Sequence, residues 1–306
     1  MRVSLVVPAY NEELAIKKVV DEALDYADEI IVVDDGSKDN TARIVRQNFS
    51  DNPKVKLIRH KTNQGKADAL RTGVSNATGD IVVFTDADDT YPCKHIPELA
   101  AEIKRSNADV VIGSRFMPHP PNNMSFTHVM GNKLFSGLVS YISSAEITDS
   151  QSGMRAFKRE IFPEIDVKAR SLEYEPKATA RAAKLGYKIK EIPIEYRKRI
   201  GKSKINGVKD GIKILYSLIS VAYSETTLLA RTIMIPGLVI GLIGLFIGIG
   251  LIKDFLALGI VRRPYYPLIA TLSLLVSTQL FSLGLIIDNI TKKLSRMEEA
   301  IKKNGK

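Results

Sequence analysis

The sequence has no tryptophan and a single cysteine among its 306 residues. Because Cys93 has no second cysteine in the chain to pair with, an internal disulfide is excluded, which fits a reducing compartment. We also expect no signal peptide, since Met1 runs directly into an apolar segment of strand type. These absences predict that the folded part of the chain lies inside the cell.

Acidic and basic side chains are absent from two long apolar runs, residues 233–252 and 264–287. Each run is long enough to cross about 30 Å of hydrocarbon as a helix. Buried core helices are the alternative, but they are rarely this long and apolar on every face. Two spans joined by a short loop form a hairpin, so both chain ends lie on one side. The tail after Asp288 carries six basic residues against three in the loop, which predicts that this side is the cytoplasm.

Glycines recur along one stripe of the first apolar run, at Gly237, Gly241, Gly244 and Gly248. Glycine lets two helices approach closely in lipid. The stripe therefore predicts a contact with the second run, or with another copy of the chain in a homo-oligomer.

Positive charge is concentrated before the apolar runs. The net charge is +10, and residues 184–213 carry ten basic side chains against three acidic ones. Such a segment suits anionic lipid headgroups and phosphorylated ligands. Nothing else in the chain resembles a nucleic-acid module, so we expect a bilayer and no nucleic acid as partner. Apolar residues at helical spacing over 205–223 predict an amphipathic helix, which packs on the catalytic domain or lies in the membrane interface.

The first 112 residues alternate strand and helix patterns. Short apolar runs at 3–7, 30–34, 55–59, 81–85 and 110–112 are typical of strands. One intervening pattern places Ile16, Val19 and Val20 on one helical face, with Asn11 as the expected cap. The alternation predicts an α/β fold with a parallel sheet covered on both faces. No GxGxxG motif follows the first strand, which disfavours a dehydrogenase.

Polar and acidic residues follow the predicted strands at equivalent positions. In parallel sheets ligands bind beyond the carboxyl ends of the strands, so these residues mark a site. Asp86 and Asp88, two residues apart after the fourth strand, are suited to share a hard divalent cation such as Mg²⁺ or Mn²⁺. Such a cation would neutralise charge on a departing nucleoside diphosphate. A capped turn is the purely structural alternative.

An ordered series of motifs follows the strand ends. It comprises Pro8-Ala9-Tyr10-Asn11-Glu12-Glu13, Asp34-Asp35-Gly36-Ser37, Asn63-Gln64-Gly65-Lys66, Asp86-Ala87-Asp88 and Gly113-Ser114-Arg115. This series resembles the signatures of family 2 glycosyltransferases. Later motifs, from Asp149 to Arg155 and from Tyr196 to Lys204, are similar to the dolichyl-phosphate mannose synthase and polyprenyl-phosphate glucosyltransferase branch. The resemblance covers about residues 1–224, and the two-span hairpin also occurs in that branch.

The resemblance implies a GT-A type nucleotide-binding domain and assigns roles to matching residues. Asp86 and Asp88 would bind the metal and the diphosphate, and Arg115 would face the phosphate of the lipid acceptor. Arg199 and Lys204 would lie on a loop that closes over the donor diphosphate. Asp149 would act as a base or orient the acceptor. The residues that would line the nucleoside pocket are Pro8, Tyr10, Glu12, Val33 and Asp35. The remaining substrate-binding positions implied are Ala87, Thr90 and Arg155.

Two positions depart from the family pattern. Thr90 stands where glutamine is frequent, which predicts a weaker or water-mediated metal contact. Met154 stands in the position of phenylalanine in an SGFR motif, which is expected to alter packing more than chemistry. Glu173 and Glu175 lie near a predicted helix start, and we expect them to be structural.

The expected activity is inverting transfer of one hexose from a nucleotide sugar to dolichyl or polyprenyl phosphate. GDP-mannose is the favoured donor, and UDP-glucose and UDP-N-acetylglucosamine are also compatible. A transferase acting on another membrane lipid, such as diacylglycerol, is the main alternative. A processive polysaccharide synthase is disfavoured, since its QxxRW motif needs tryptophan, and any turnover would exclude a non-catalytic nucleotide-binding scaffold. The predicted organisation is a catalytic domain over 1–204, an interface helix and linker over 205–230, two transmembrane helices over 231–288 and a basic cytoplasmic tail over 289–306.

Overall fold

A computed structural model describes residues 1–121, 124, 126–143, 146–167, 173–201, 227–260 and 263–304. The chain forms two compact units, Met1–Val221 and Ala222–Lys306. The expected amphipathic helix over 205–223 and Lys204 lie outside the described residues.

The first unit alternates strands and helices, as its sequence pattern predicts. Its strands are β1 (Val3–Ala9), β2 (Glu29–Asp34), β3 (Val55–Arg59), β4 (Ile81–Phe84), β5 (Val110–Ser114), β6 (Arg155–Lys158) and β7 (Ile189–Pro193). Its described helices are α1 (Ile16–Ala23), α2 (Thr41–Phe49), α3 (Lys66–Ser75), α4 (Ile96–Arg105), α5 (Phe126–Ser143), α6 (Phe162–Ile165) and α7 (Tyr174–Lys184).

The strands form one seven-stranded sheet in the order β3-β2-β1-β4-β6-β5-β7. All neighbours are parallel except β6, which runs antiparallel to β4 and to β5. The five strands predicted before residue 112 are confirmed. Because β6 is reversed, the residues just before it lie at the same sheet edge as the carboxyl ends of the other strands.

Both faces of the sheet are buried along its inner strands, and successive side chains of each strand point to opposite faces. Leu5 and Val7 of β1 pack with α1, α2 and α4 on one face. Val6 packs with α3, α6 and α7 on the other. The apolar face predicted for α1 is buried, with Val19 among its members. The expected cap is wrong: α1 begins at Ile16, five residues beyond the left-handed turn at Asn11.

One buried carboxylate, that of Glu29, links neighbouring strands at the amino end of the sheet. Glu29 is 2% exposed and accepts hydrogen bonds from Ser4 Oγ at 2.6 Å, Lys56 Nζ at 2.6 Å and Thr78 N at 2.8 Å. Burial alone would raise the pKa of Glu29, but Lys56 and the hydroxyl and amide donors lower it to about 2. This network ties β1, β2 and β3 together.

The second unit contains two long apolar helices, α8 (Leu228–Leu258) and α9 (Tyr266–Asn304). α8 and the segment Tyr266–Asp288 of α9 are long and apolar enough to cross a membrane. Large apolar side chains on α8 face outwards, including Phe246 at 81% exposure and Leu256 at 80%. This pattern fits a lipid environment better than a protein core.

Three of the four glycines in the predicted stripe of α8 allow the two helices to approach closely. A Cβ added at Gly237 would lie 2.9 Å from Leu280 Cβ, and one at Gly244 would lie 2.8 Å from Ser273 Cβ. A Cβ at Gly241 would lie 2.4 Å from Ser277 Oγ, whereas one at Gly248 would meet nothing within 4 Å. The glycine stripe therefore serves packing inside the hairpin, and the homo-oligomer through these glycines stays a prediction.

Candidate active site

The predicted site residues meet at the edge formed by the carboxyl ends of the parallel strands. Glu12 follows β1, Asp35 follows β2, Asp86 and Asp88 follow β4, and Arg115 follows β5. The segment that contains Asp149 and Gly153 precedes the reversed strand β6 and reaches the same edge. Fold topology thus brings together motifs that are far apart in the sequence.

The two carboxylates after β4 are each held in a defined orientation. Asp86 Oδ1 lies 2.7 Å from Lys66 Nζ. Asp88 Oδ1 accepts hydrogen bonds from the Thr90 hydroxyl at 2.6 Å and the Thr90 amide at 3.1 Å. Its other oxygen, Oδ2, lies 2.7 Å from Arg199 Nη1. The side chain at Thr90 therefore orients the second aspartate.

These surroundings move the two carboxyl pKa values apart. Burial alone would raise the pKa of Asp86, but the positive charges of Lys66, Arg115 and Arg199 lower it. Burial raises the pKa of Asp88, and the negative charge of Asp86 raises it further. Asp86 is thus the more strongly ionised member of the pair.

Gly153 lies close against the first carboxylate. A Cβ at this position would lie 2.7 Å from Asp86 Oδ2, and the Gly153 amide donates to Tyr91 Oη at 2.9 Å. The two carboxylates after β4 offer the oxygen ligands that a hard divalent cation prefers. Among the described residues no cluster of three or more His, Cys, Asp or Glu side chains suits a metal, so diphosphate and water oxygens would complete the shell.

Arg115 is clamped by a fully buried acid. Its Nε donates to Asp149 Oδ2 at 2.7 Å, its Nη2 to Asp149 Oδ1 at 2.8 Å, and its amide to Asp149 Oδ2 at 3.0 Å. The Arg115 side chain is 10% exposed and Asp149 is not exposed at all. The guanidinium carbon lies 5.2 Å from the centroid of the Tyr196 ring. Asp149 uses the Nε–Nη2 edge of the guanidinium, which leaves the Nη1 edge outside this clamp.

A second acid supports the loop that contains Asp149. Glu191 of β7 accepts hydrogen bonds from Thr148 N at 2.8 Å, Thr148 Oγ1 at 2.7 Å and Asp149 N at 3.1 Å. The Thr148 hydroxyl also lies 2.7 Å from Ser114 Oγ, next to Arg115. Burial raises the pKa of Glu191. Four hydrogen bonds thus fix the position of the Arg115–Asp149 pair.

The segment after β7 lies along the loop that contains Asp86 and Asp88. The amide of Arg197 donates to Thr90 O at 2.8 Å, and the amide of Ile200 donates to Asp88 O at 3.1 Å. Arg199, between them, bridges Asp88 and Glu12. Arg199 therefore lies beside the predicted metal ligand Asp88, and its contact with a donor diphosphate stays a prediction.

The positions predicted to bind substrate differ in accessibility. Pro8 and Tyr10 are partly exposed, whereas Val33 is fully buried and Ala87 is 3% exposed. The Asp35 carboxylate lies 2.7 Å from His60 Nδ1 and accepts hydrogen bonds from two backbone amides of the loop before α3, at 2.9 Å and 2.8 Å. In this state Asp35 orders that loop, and its contact with a nucleoside stays a prediction.

Arg155 points into the protein. It is 3% exposed, and its guanidinium donates to Ser152 O at 2.6 Å, Thr179 Oγ1 at 3.2 Å and Glu175 O at 3.2 Å. These bonds join the start of β6 to α7. They support a structural role, and the expected substrate contact of Arg155 stays a prediction.

Sequence reasoning assigned no role to Lys66 and treated Glu175 as structural. The structure places Lys66 Nζ 2.5 Å from Glu175 Oε1 as well as beside Asp86. Burial alone would lower the pKa of Lys66, but the two carboxylates raise it. The position of Lys66 at the end of a recognised motif was the one signal available in the sequence.

Comparisons with known proteins agree with this geometry. The family model described as glycosyl transferase family 2 matches residues 4–166. A UDP-N-acetylglucosamine–dolichyl-phosphate N-acetylglucosaminyltransferase from Methanococcus voltae is 34% identical over 70% of this chain and 94% of its own. A dolichyl-phosphate hexose transferase from Haloferax volcanii is 32% identical over 72% of this chain and 94% of its own.

Solved structures share the fold. Glucosyl-3-phosphoglycerate synthase from Mycobacterium tuberculosis, in complex with Mn²⁺, UDP and glucosyl-3-phosphoglycerate, has a TM-score of 0.57 at 21% identity, over 72% of this chain and 79% of that one. A mannosyltransferase from Pyrobaculum calidifontis, in complex with GDP-Man and Mn²⁺, has a TM-score of 0.54 at 20% identity, over 98% of this chain and 80% of that one. The predicted GT-A type fold and the predicted resemblance are both confirmed.

Proposed function

The chain belongs to glycosyl transferase family 2, and we propose that it transfers a single sugar from a nucleotide sugar to the phosphate of a polyisoprenyl phosphate such as dolichyl phosphate. The names of the Methanococcus and Haloferax relatives support this acceptor. The structural observation that carries the proposal is the Arg115–Asp149 clamp at the same sheet edge as Asp86.

Arg115 provides the feature that a phosphate acceptor requires. Guanidinium groups bind phosphate oxygens with two parallel hydrogen bonds, and Asp149 occupies only one edge of this guanidinium. Because the pair is buried and multiply hydrogen-bonded, the cation is preorganised. Asp149 then acts by orienting Arg115, because both of its oxygens accept hydrogen bonds from Arg115.

The acceptor needs little help from a general base. A phosphate monoester has a second pKa near 6, so it is largely ionised at neutral pH and already nucleophilic. The protein must bring two anions together and offset their repulsion. Arg115 would bind the acceptor phosphate, while Lys66 and Arg199 would face the donor diphosphate. A divalent cation held by Asp86 and Asp88 would supply Lewis-acid stabilisation of the leaving diphosphate. We expect one displacement, which inverts an α-linked donor to a β-linked lipid product.

The donor is the part of the function that requires direct measurement. The motif resemblance favours GDP-mannose, whereas the names of the Methanococcus and Haloferax relatives give N-acetylglucosamine and an unspecified hexose. Mannose, glucose and N-acetylglucosamine all fit the chemistry of the carboxylate pair and the cations around it.

The two apolar helices support action at a membrane. We propose that the first unit lies on the cytoplasmic side, where nucleotide sugars are available and where the basic tail is expected. This topology is tested with single cysteines placed either in the 253–263 loop or in the tail, in intact cells treated with an impermeant maleimide. The cysteine in the loop is expected to react, and the cysteine in the tail is not. Labelling of the tail alone would contradict it.

The test of function uses the full chain purified in detergent. Polyprenyl phosphate and Mn²⁺ or Mg²⁺ are supplied with GDP-mannose, UDP-glucose or UDP-N-acetylglucosamine, and the lipid product is identified by mass. One productive donor, with turnover lost on chelation and reduced about 100-fold or more in Asp88→Asn, would support the proposal. Lys158→Met is the matched control. Lys158 Nζ lies 2.6 Å from Asp109 Oδ1, and this ion pair is separate from the candidate site.

Diacylglycerol serves as the competing acceptor in the same assay. Sugar transfer to diacylglycerol with silence on polyprenyl phosphate would overturn the acceptor assignment. A hydroxyl acceptor needs a general base, so that outcome would also direct attention to a carboxylate other than the clamped Asp149.

A further inference from the structure

Both carboxylates assigned to the divalent cation already have positively charged partners within the chain. Lys66 Nζ lies 2.7 Å from Asp86 Oδ1. Arg199 Nη1 lies 2.7 Å from Asp88 Oδ2. Each aspartate therefore has its own counter-ion when no metal is bound.

Each counter-ion also contacts a second acid that is not assigned to the metal. Lys66 Nζ lies 2.5 Å from Oε1 of Glu175, which is 4% exposed, and Arg199 pairs with Glu12. When a metal ion binds one of the two acids, the basic side chain between them still has the other acid as its partner. Neither Lys66 nor Arg199 would be left as an isolated charge in a site where each is 24% exposed.

We propose that Lys66 and Arg199 are exchangeable counter-ions, which compete with the divalent cation for Asp86 and Asp88 until a nucleoside diphosphate binds. The inference rests on the proposed function, from which the metal and the nucleotide are taken. Lys66 and Arg199 would thereby set the order of binding, because the metal alone finds its carboxylates already paired.

Electrostatics gives the direction of the effect. A divalent cation that approaches Asp88 meets the charge of Arg199 at short range, where repulsion is weakly screened. A diphosphate offers both basic side chains new anionic oxygens and so compensates for the lost pairing. Metal and nucleotide then raise each other's affinity by the same factor, as linkage requires.

Binding of Mn²⁺ followed by electron paramagnetic resonance tests the proposal on the full chain in detergent. The titration is run without nucleotide and with UDP or GDP. In Arg199→Gln, nucleotide-free Mn²⁺ affinity is expected to rise about tenfold, because one neighbouring positive charge is removed. The factor by which nucleotide strengthens Mn²⁺ binding is expected to fall in the same variant. A residue that only contacted the diphosphate would leave the nucleotide-free affinity unchanged.

Lys66→Met is expected to act in the same direction. The single variant leaves Glu175 buried without a counter-ion, which is expected to destabilise the fold. The double variant Lys66→Met/Glu175→Gln removes the charges of both Lys66 and Glu175, and so keeps the test independent of folding. The control Lys158→Met removes one positive charge, as Arg199→Gln does, and is expected to leave Mn²⁺ affinity unchanged.

Weaker or unchanged nucleotide-free Mn²⁺ binding in both Arg199→Gln and the double variant would overturn the inference while leaving the proposed function intact. A wild-type chain that binds no Mn²⁺ with or without nucleotide would instead overturn the proposed metal dependence, and this inference with it.

Discussion

Replacing Asp149 by asparagine removes the charge that balances a buried arginine. Asp149 has no exposed surface and accepts three hydrogen bonds from Arg115, whose side chain is 10% exposed. Breaking a buried ion pair from one side costs about 3 to 5 kcal/mol. Asparagine keeps one acceptor oxygen and nearly the same shape, so we expect a loss of about 3 kcal/mol in the free energy of unfolding.

The assay is a thermal melt of the full chain in detergent, followed by the near-ultraviolet circular dichroism of its tyrosines. For a unit of this size a loss of about 3 kcal/mol lowers the midpoint by roughly 6 to 12 °C. Asp109→Asn is the matched control, since its pair with Lys158 is equally short at 2.6 Å but each side chain is more than 20% exposed. A partly exposed pair of this kind is expected to contribute much less than a fully buried one, on the order of 1 kcal/mol.

Kinetics separates stability from function in the same variant. The KM for polyprenyl phosphate is expected to rise about tenfold in Asp149→Asn, because Arg115 loses its fixed orientation, while the KM for the nucleotide sugar changes little. Equal melting of Asp149→Asn and Asp109→Asn would refute the stability argument. An unchanged lipid KM would refute the assignment of Arg115 to the acceptor.

Three further changes test other parts of the structure. Gly153→Ala places a methyl group 2.7 Å from Asp86 Oδ2, so activity should fall about 100-fold with an unchanged circular dichroism spectrum; full activity would contradict the assigned site. Glu29 has a pKa lowered to about 2, so its ionised form stabilises the fold fully above pH about 4.5. The stability advantage of wild type over Glu29→Gln should therefore shrink as the pH falls from about 4.5 to 2, and a difference that did not depend on pH would exclude this origin. Gly244→Ala should lower the melting temperature of the hairpin, because its Cβ would lie 2.8 Å from the facing helix, whereas Gly248→Ala should not; equal melting would refute the packing.

The sheet could be predicted where local pattern and topology agree. The first five strands are apolar runs bounded by polar turns, and each was placed correctly from the sequence. Strand β6 has four residues and begins and ends on basic side chains, so no apolar run marks it. Its reversed direction depends on pairing with β4 and β5, which are remote in sequence.

In the site, too, local pattern predicts some residues, whereas others depend on contacts between distant parts of the sequence. Asp86 and Asp88 could be found because both follow one strand. The partners that fix them could not, since Lys66 lies 20 residues before Asp86 and Arg199 lies 111 residues after Asp88. Asn11 does not cap α1, because its side chain accepts a hydrogen bond from the Lys38 amide and not from an amide of the helix. Such choices are made by tertiary contacts that local preference does not encode.

The charges around the site explain why these long-range pairs exist. An enzyme that transfers a sugar from a nucleotide sugar to a phosphorylated lipid must concentrate cations, yet an unpaired cation in a buried site is costly. Here Arg115 is paired with Asp149, Arg199 with Glu12 and Asp88, and Lys66 with Asp86 and Glu175. The acids keep the cations in place when substrates are absent. Substrate phosphates would then replace Asp86 and Asp88 as partners of Lys66 and Arg199, whereas Arg115 would keep Asp149 and bind phosphate through its other edge. Binding would thus exchange one set of ion pairs for another, with little reorganisation of the protein.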